Sequence, residues 1–304
     1  MKNTNMNKNT LKIGEQLVTR SIQFSGYSSI LFVLMILFFL LYEGIPTIFE
    51  IPLKEIFSTR WYPIENYYGI LPLILGSLVV TLGASLVAVP FGILTAVYIA
   101  EIAPKWVKEI MKPLVELLAG LPSVVLGFLG ILIVSPFLRD KLHLPTGLTA
   151  LTGSILLGGI AIPTIVSIAE DALNNVPNSY RLGALALGLT RWQTIWGVTV
   201  PAAKSGILMA VMLGVGRTIG ETMTVMMVTG NAPLLPGSLN ALFMPIRTMT
   251  ATIASEMGEV ASGSPHYHIL FFIAVVLFLF TLLVNLIASN IGSKRIKRVE
   301  KMLS

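Results

Sequence analysis

The sequence predicts an all-α membrane protein with six transmembrane helices, and its composition is the first reason. The chain has 304 residues, of which 54% are hydrophobic and only 12% are charged, with a mean hydropathy of +0.81. Soluble domains carry about 25% charged residues, so this composition argues against a soluble enzyme. The chain has no cysteine, which excludes a disulfide framework and a thiolate metal site.

The second reason is the spacing of the charges. Residues 21–42, 66–100, 117–138, 142–169 and 260–293 contain no Lys, Arg, Asp or Glu. A helix of about 20 apolar residues crosses the ~30 Å hydrocarbon core. Six helices are therefore expected, at residues 22–41, 71–100, 115–137, 148–169, 207–230 and 269–291. Helices are favoured because the runs are continuous, without the alternation of a membrane β-barrel.

Prolines fall inside three of these predicted helices. Pro72 and Pro90 lie in the second, Pro122 in the third and Pro163 in the fourth. Membrane helices tolerate such kinks when neighbouring groups satisfy the freed carbonyls. Broken helices also line transport paths, which is the functional interpretation. Proline alone favours the first explanation.

The distribution of positive charge predicts an orientation. With the N-terminus inside, 15 of the 21 Lys and Arg residues lie on the cytoplasmic side, 5 lie outside, and Arg217 lies within a span. This asymmetry follows the positive-inside rule, so both termini are expected in the cytoplasm. The isoelectric point near 9.5 then reflects topology rather than nucleic-acid binding. The predicted divisions are a first segment at 1–70, a core at 71–292 and a basic tail at 293–304.

The longest predicted cytoplasmic connection, residues 171–204, has the pattern of two short helices. Pro177 is a good helix opener, and an apolar side follows it. Gly188 and Thr190 interrupt the pattern, which resumes at Trp192 and stops at Pro201. An amphipathic hairpin on lipid headgroups would need a basic face, and only Arg181 and Arg191 are suited to it. A protein partner is the simpler interpretation.

This segment resembles the EAA loop of ABC importer permeases. That loop has Glu-Ala-Ala, a glycine four residues later, and a hydrophobic-x-hydrophobic-Pro ending; Gly188 and Val198-x-Val200-Pro201 match it. Leu182–Gly183–Ala184 replaces Glu-Ala-Ala, which removes one possible polar contact. The resemblance implies a type I importer permease fold and a coupling helix that docks on a separate ATPase. The residues it assigns to that coupling are Ala184, Gly188, Thr190, Arg191 and Pro201.

Two charges fall inside the predicted fifth span. Arg217 lies about 15 Å deep, where insertion of a charge costs at least ~2.5–3.5 kcal/mol. Glu221 is four residues later, so both side chains are predicted on one helix face, where they could form an ion pair. The alternative is an anion path, in which the guanidinium binds phosphate-type oxygens and Glu221 orients it.

Neighbouring residues fit that path. Thr218 and Thr222 add hydroxyl groups, and Gly216 and Gly220 form a GxxxG pair that permits close approach of another helix. A single arginine cannot neutralise a dianion beside a carboxylate. We therefore expect a second subunit to supply further positive or hydrogen-bonding groups.

Several motifs are similar to those of phosphate-specific importer permeases. The stretches are Gly216-Arg-Thr-Ile-Gly-Glu-Thr-Met223, Glu116-Leu-Leu-Ala-Gly-Leu-Pro-Ser123, Gly127-Phe-Leu-Gly130, Trp61-x-Pro63 and Tyr68-Gly-Ile-Leu-Pro-Leu-Ile-Leu-Gly76. His266-Tyr-His-Ile-Leu and Leu283-Val-Asn285 are closer to the PstC branch than to its paralogue PstA. The resemblance implies a plasma-membrane permease subunit in surrounding lipid. Its implied partners are a PstA-like permease, an ATPase dimer and an extracytoplasmic phosphate-binding protein.

The motifs that are missing also bear on function. No Gly-x-x-x-x-Gly-Lys-Ser/Thr loop occurs, so ATP and Mg²⁺ are expected on the partner ATPase, and no cofactor is expected on this chain. No metal site is expected at His266 and His268, and the chain is predicted not to be an enzyme. The open alternatives are a sulfate or molybdate permease, a proton-coupled secondary transporter that uses Glu221 and Glu116, and a membrane sensor that no longer transports.

Overall fold

The computed structural model describes the backbone of residues 8–237 and 239–303, and the side chains of 17–237 and 240–287. Residues 1–7 of the predicted first segment and the side chains of the predicted basic tail lie outside this description. The first part of the chain contains α1 (Lys8–Gly44), α2 (Pro46–Glu50), α3 (Leu53–Ile56) and a ribbon of β1 (Trp61–Tyr62) with β2 (Tyr67–Tyr68). The helices that follow are α4 (Leu71–Val97), α5 (Lys105–Ala119), α6 (Ser123–Leu129), α7 (Ser135–Leu142) and α8 (Ala150–Asn174).

Segment 171–204 and the last spans complete the fold. They comprise α9 (Asn178–Ala186), α10 (Arg191–Thr194), α11 (Val200–Ala202), α12 (Lys204–Gly220), α13 (Met223–Val228), α14 (Met249–Glu256) and α15 (Pro265–Leu303). Three π-helical turns connect helices, at Tyr98–Ile102, Gly130–Val134 and Ile195–Thr199. Two 3-10 turns occupy Pro63–Glu65 and Leu239–Phe243.

The predicted all-α membrane fold is confirmed. Five helical segments are long and apolar enough to cross a membrane: Leu17–Glu50, Leu71–Ile102, Ser123–Leu142, Ala150–Asn174 and Pro265–Ile287. A sixth is obtained if Arg191–Ala202 and Lys204–Gly220, which meet at 70°, count as one broken span. The short β1–β2 ribbon is the one sheet in the described part of the chain.

The helix pair α4 and α8 forms the centre of the fold. Gly83 faces Ser154, Gly92 faces Ile165 and Gly158 faces Val87, each at a distance that leaves no room for an added Cβ without displacement. Small residues allow helix backbones to approach closely, which supplies van der Waals contact where lipid removes the hydrophobic driving force. Helix α12 packs on the same side of α8, with Gly206 against Ala172 and Gly214 against Ile165.

The third span differs from its prediction. A continuous helix over 115–137 was expected, but α5 ends at Ala119 and α6 begins at Ser123. Pro122 lacks an N–H group and disfavours helical geometry at the residue before it, so the chain breaks over 120–122. Helix α5 packs beside α8 through Ile99, Val115 and Val166. The segment long enough to cross is therefore Ser123–Leu142, and α5 precedes it on the other side of the break.

The fifth span is broken as well. A helix over 207–230 was expected, but α12 ends at Gly220, and Glu221 has an extended backbone with φ −69° and ψ 126°. Helix α13 then begins at Met223. Glycine is a weak helix former, and the Thr250 hydroxyl donates to the Glu221 carbonyl at 3.1 Å, an acceptor that the break exposes. The break is therefore stabilised by a contact that sequence periodicity does not reveal.

The adjacent glycines of α8 provide a test of the α4–α8 contact. A Cβ added at Gly158 would lie 2.9 Å from the Val87 Cβ and 3.2 Å from the Ala84 carbonyl oxygen, whereas nothing lies within 4 Å at Gly159. We predict that Gly158→Ala lowers stability by about 1–3 kcal/mol through overpacking. Gly159→Ala, the matched control, should be neutral or stabilising by up to ~1 kcal/mol. Thermal unfolding in detergent measures both, and equal effects would contradict this packing.

Candidate functional site

The breaks of the third and fifth spans lie side by side. The Thr224 hydroxyl of α13 donates to the Ser123 carbonyl at the start of α6, at 2.9 Å. A Cβ added at Gly127 would lie 3.2 Å from the Thr224 Cα, so α6 and α13 are in close contact. Discontinuous membrane helices expose backbone polar groups where they line a site. The paired breaks are therefore the best candidate for a substrate site within the described residues.

Arg217 lies on α12, before the break at 221–222, and joins α12 to α5 and α8. Its Nη1 donates to the Thr164 hydroxyl on α8 at 2.9 Å, and its Nη2 donates to the Ala119 carbonyl at 3.2 Å. Ala119 is the last residue of α5, so its carbonyl is one of those that the helix leaves without an internal partner. A cation at a helix C-terminus also interacts favourably with the helix dipole. These contacts engage two of the five guanidinium N–H donors.

The ion pair between Arg217 and Glu221, which the sequence left open beside the anion path, does not form. No ion pair joins them in the described structure, because α12 ends at Gly220 and the two residues no longer share a helix face. The Glu221 carboxylate instead accepts from the Thr224 backbone N–H at 3.3 Å. Carboxylates commonly satisfy backbone N–H groups at a helix start in this way. Glu221 thus lies at the break but orients the backbone rather than the guanidinium.

The hydroxyl groups of Thr218 and Thr222 both donate to backbone carbonyls a few residues away in sequence. Thr218 is buried and its hydroxyl donates to the Val215 carbonyl at 2.7 Å. The Thr222 hydroxyl donates to the Gly220 carbonyl at 3.2 Å. Both lie close to Arg217 in sequence, and their place on a substrate path stays a prediction.

The predicted close helix approach at Gly216 and Gly220 does not occur within the described chain. At Gly216 the nearest outside atom to an added Cβ is the Asn285 side-chain oxygen, at 4.0 Å, and nothing lies within 4 Å at Gly220. The tight contacts of α12 are at Gly206 and Gly214 instead. The GxxxG prediction therefore concerns only a partner subunit.

The two acceptors of Arg217 are not predicted by the sequence. Ala119 is an ordinary helix residue whose carbonyl becomes important only because Pro122 breaks the span. Thr164 follows Pro163 in α8, so its position beside a helix-interior proline was its one visible signal. Partners of this kind depend on which helices become neighbours.

The two-helix prediction for segment 171–204 is confirmed. Helix α9 ends in a Schellman motif, with Gly188 at φ +83°, the Gly188 N–H bonded to the Leu185 carbonyl and the Leu189 N–H bonded to the Ala184 carbonyl. Thr190 and Gln193 then form a reciprocal capping box that starts α10. Pro201 does not itself stop the helix, because α11 continues to Ala202 before the chain bends into α12.

The outer surface of this segment is apolar and exposed. Leu187 is 83% exposed and Trp192 is 61% exposed, and the Trp192 and Trp196 rings meet edge to face at 5.9 Å. A shallow cavity of about 540 Å³ lies between the two tryptophans and Leu189. Exposed apolar patches of this kind mark interaction surfaces. Ala184 is buried inside the hairpin, so it supports this surface rather than belonging to it.

A polar cluster at the opposite end of the bundle holds the β1–β2 ribbon against α14 and α15. The Glu256 carboxylate accepts from Arg247, from the Trp61 indole N–H at 3.2 Å and is bonded to His266 Nε2 at 2.8 Å. Burial alone would raise the pKa of Glu256, but the hydrogen bond from His266, the Arg247 charge and the Trp61 donor together hold it below its usual value. His268 pairs with Glu50 at 2.9 Å. In the described part of the chain, no group of three or more metal-ligating side chains occurs.

Comparisons with known proteins match most of the chain. The family model described as "Binding-protein-dependent transport system inner membrane component" matches residues 88–297. A probable ABC transporter permease protein of Bacillus subtilis, YqgH, is 42% identical over 245 residues, which cover 79% of this chain and 78% of that protein. The phosphate transport system permease protein PstC of Xylella fastidiosa is 34% identical and covers 76% of each chain.

Two solved structures share the fold at low sequence identity. A bacterial alginate ABC transporter in complex with an alginate pentasaccharide-bound periplasmic protein has a TM-score of 0.58 and 14% identity, covering 90% of this chain and 96% of that chain. The inward-facing MetNI methionine ABC transporter has a TM-score of 0.54 and 18% identity, covering 74% of this chain and 93% of that chain.

Arg217 and Arg247 are both partly buried, and their substitutions should differ. Arg217→Met removes two hydrogen bonds from a charged donor, which costs about 1.5–3 kcal/mol each. The same change also removes a charge from apolar surroundings, and this gain offsets the cost. We predict a change in stability within about 1 kcal/mol. Arg247→Met leaves the partly buried Glu256 carboxylate without its main cation and should cost up to about 3–5 kcal/mol, the range for a fully buried pair. Thermal unfolding compares them, and a larger loss for Arg217→Met would indicate a purely structural role.

The Glu256 cluster should make stability sensitive to acid. A carboxyl whose pKa is lowered by folding contributes stability above the unfolded pKa of about 4.3, and that contribution is lost as the pH falls through the folded value. We therefore predict that the thermal midpoint falls more steeply below about pH 4.3 in the wild type than in Glu256→Gln. The exposed Glu259, changed to Gln, is the matched control. Identical acid profiles for all three proteins would contradict the assignment.

Proposed function

Because the chain belongs to the family of binding-protein-dependent transport system inner membrane components, we propose that it is the PstC-type half of a phosphate translocation pathway. The family membership rests on residues 88–297 and on relatives at 42% and 34% identity. The chain is thus a multi-pass permease component of an ABC importer and is not itself an enzyme. The resemblance to phosphate-specific permeases that the motifs predicted is confirmed by these relatives.

The observation that supports phosphate is the position of Arg217 beside two broken helices. A guanidinium presents a planar fork that matches the oxygens of phosphate, and its bond to an anionic oxygen adds charge attraction that a neutral carbonyl lacks. Phosphate could therefore displace the neutral Ala119 carbonyl, which now accepts from Nη2 at 3.2 Å. We propose that this exchange of acceptors marks substrate binding.

Thr164 would keep the guanidinium in position during that exchange. Its hydroxyl accepts from Nη1, so one side of the fork stays attached to α8 while the other changes partner. Glu221 would hold the start of α13 through the Thr224 N–H and leave the guanidinium available. A dianion needs more positive charge than one arginine supplies, and a second permease subunit would provide it across Gly216 and Gly220, where the described chain leaves space.

The remaining partners follow from the same proposal. The exposed apolar surface around Trp192 and Leu187 would dock on an ATPase dimer, which would bind ATP and Mg²⁺. A PstA-like permease would complete the pathway, and an extracytoplasmic phosphate-binding protein would deliver the substrate. With segment 171–204 facing the ATPase, both termini lie in the cytoplasm and the protein resides in the plasma membrane. Glu256, Trp61 and His266 would then lie on the outer side.

Reconstituted uptake tests this function. In proteoliposomes that contain this chain, its permease partner, the ATPase and the binding protein, labelled phosphate should enter only with ATP and should not be displaced by equal sulfate. We predict that Arg217→Met lowers uptake about 10- to 150-fold, the factor that about 1.5–3 kcal/mol corresponds to. Arg139→Met, which changes an exposed arginine that pairs with its neighbour Asp140, is the matched control.

Three outcomes would contradict the proposal. Full uptake by Arg217→Met would remove the arginine from the pathway. Displacement of phosphate by sulfate would reassign the substrate to oxyanions in general. Uptake by this chain alone under a proton gradient would indicate a secondary transporter.

A further inference from the structure

Arg181 makes the densest set of charged hydrogen bonds in the described structure, at a distance from the paired breaks. Its Nε lies 3.1 and 3.3 Å from the two Glu101 carboxylate oxygens, and its Nη2 lies 2.6 Å from one of them. Nη2 also donates to the Leu173 carbonyl at 2.8 Å, and Nη1 donates to the Val176 carbonyl at 2.6 Å. The Arg181 and Glu101 side chains are 19% and 9% exposed.

These contacts join three separate parts of the chain. Arg181 lies in α9 of segment 171–204, Glu101 lies in the π-helical turn that ends the second span, and Leu173 lies in the last turn of α8. The last four carbonyls of a helix lack internal partners and carry the negative end of its dipole. One guanidinium therefore binds the proposed docking segment to the ends of both central spans.

The two spans that Arg181 holds already form one rigid unit. Gly92 against Ile165 and Gly158 against Val87 bring α4 and α8 into close contact along their length. Close-packed interiors transmit displacement with little deformation. Helix α8 also carries Thr164, the hydroxyl acceptor of Arg217, nine residues before Leu173 and so about 14 Å along the helix axis.

We propose that Arg181 is a positioning residue that makes segment 171–204, α4 and α8 move as one body. A force applied to the docking surface then displaces Thr164 relative to the Ala119 carbonyl of α5, which pulls apart the two acceptors of Arg217. This inference rests on the proposed function, and it adds the route by which movement at the ATPase reaches the substrate site. A loop joined to α8 by the backbone alone could bend at 174–177 and dissipate the motion.

A second ion pair at the same end of the bundle provides a contrast. Lys112 of α5 lies 3.7 Å from Glu170 and 3.5 Å from Asp171, and its side chain is 47% exposed. This pair joins α5 to α8 without contacting α9. Because it resists movement of α8 against α5, it is left unchanged in the test, and the matched control is Arg139→Gln, which removes an exposed charge that pairs with its neighbour Asp140 and leaves the proposed unit intact.

The test measures ATP hydrolysis and phosphate uptake in the same proteoliposomes of the complete transporter. We expect Arg181→Gln and Glu101→Gln to keep ATP hydrolysis and to raise the ATP consumed per phosphate about tenfold. Arg181→Lys should recover part of the loss, because an ammonium can pair with Glu101 but cannot reach both carbonyls as well. Arg139→Gln should keep the wild-type ratio. An unchanged ratio in the Arg181 and Glu101 variants, or an equal loss of hydrolysis and uptake, would overturn the proposal.

A covalent replacement keeps the test decisive if those single variants do not assemble. The chain has no native cysteine, so Arg181→Cys with Glu101→Cys can be joined by a short bis-maleimide without reaction elsewhere in this chain. If α9 and the second span move together, the cross-linked transporter keeps phosphate uptake. If they must separate during the cycle, the cross-link abolishes uptake and the proposal is wrong. Failure of the proposed function is a different result, since the wild-type complex itself would then take up no phosphate.

Discussion

The structure depends on one constraint, which is that backbone polar groups inside a membrane must find partners within the protein. Unbroken helices meet it automatically, but the predicted third and fifth spans both break, at 120–122 and at 221–222. Two carbonyls at the breaks are bonded by side chains of other helices, Ala119 by Arg217 and Glu221 by Thr250, and the Thr224 hydroxyl joins the two breaks by donating to the Ser123 carbonyl. Each unsatisfied group in hydrocarbon would cost several kcal/mol, so the two breaks can exist only because they lie together. A polar site where the two breaks meet follows directly.

The sequence predicts the parts of this molecule that depend on local pattern. Charge-free runs locate the spans, and the Gly188 and Thr190 pattern predicts the two helices of segment 171–204, because helix stops and caps are encoded within a few residues. Arg217 is identifiable as a candidate functional residue, because a charge within an apolar run is costly and is found mostly where function needs it. The sequence does not predict that Glu221 leaves the helix, since periodicity assumes continuity and the partner that stabilises the break is Thr250, 29 residues away. Ala119, Thr164 and the Arg181–Glu101 pair were invisible for the same reason, because each is created by neighbours distant in sequence.

An arginine lies at each end of the proposed route by which movement passes from the docking surface to the substrate site. At one end Arg181 uses its fork on a carboxylate and two helix-terminal carbonyls, and at the other Arg217 uses two of its donors on a hydroxyl and a carbonyl. The difference between them is the strength of the acceptors. A carboxylate makes the Arg181 contact strong and lasting, whereas the neutral acceptors of Arg217 are ones that an oxyanion can replace. Helix α8 carries a partner of each arginine, which makes it the element through which the two sites influence one another.

The central claim is that Arg217 exchanges the Ala119 carbonyl for a substrate oxyanion. The most direct measurement is the structure of the assembled transporter with arsenate, a phosphate analogue whose arsenic atom can be located by anomalous scattering. We predict an arsenic peak beside the Arg217 guanidinium, placed so that an arsenate oxygen accepts from it, while the guanidinium still donates to the Thr164 hydroxyl but no longer to the Ala119 carbonyl. A peak elsewhere in the membrane, with Arg217 still bonded to both Ala119 and Thr164, would contradict this claim.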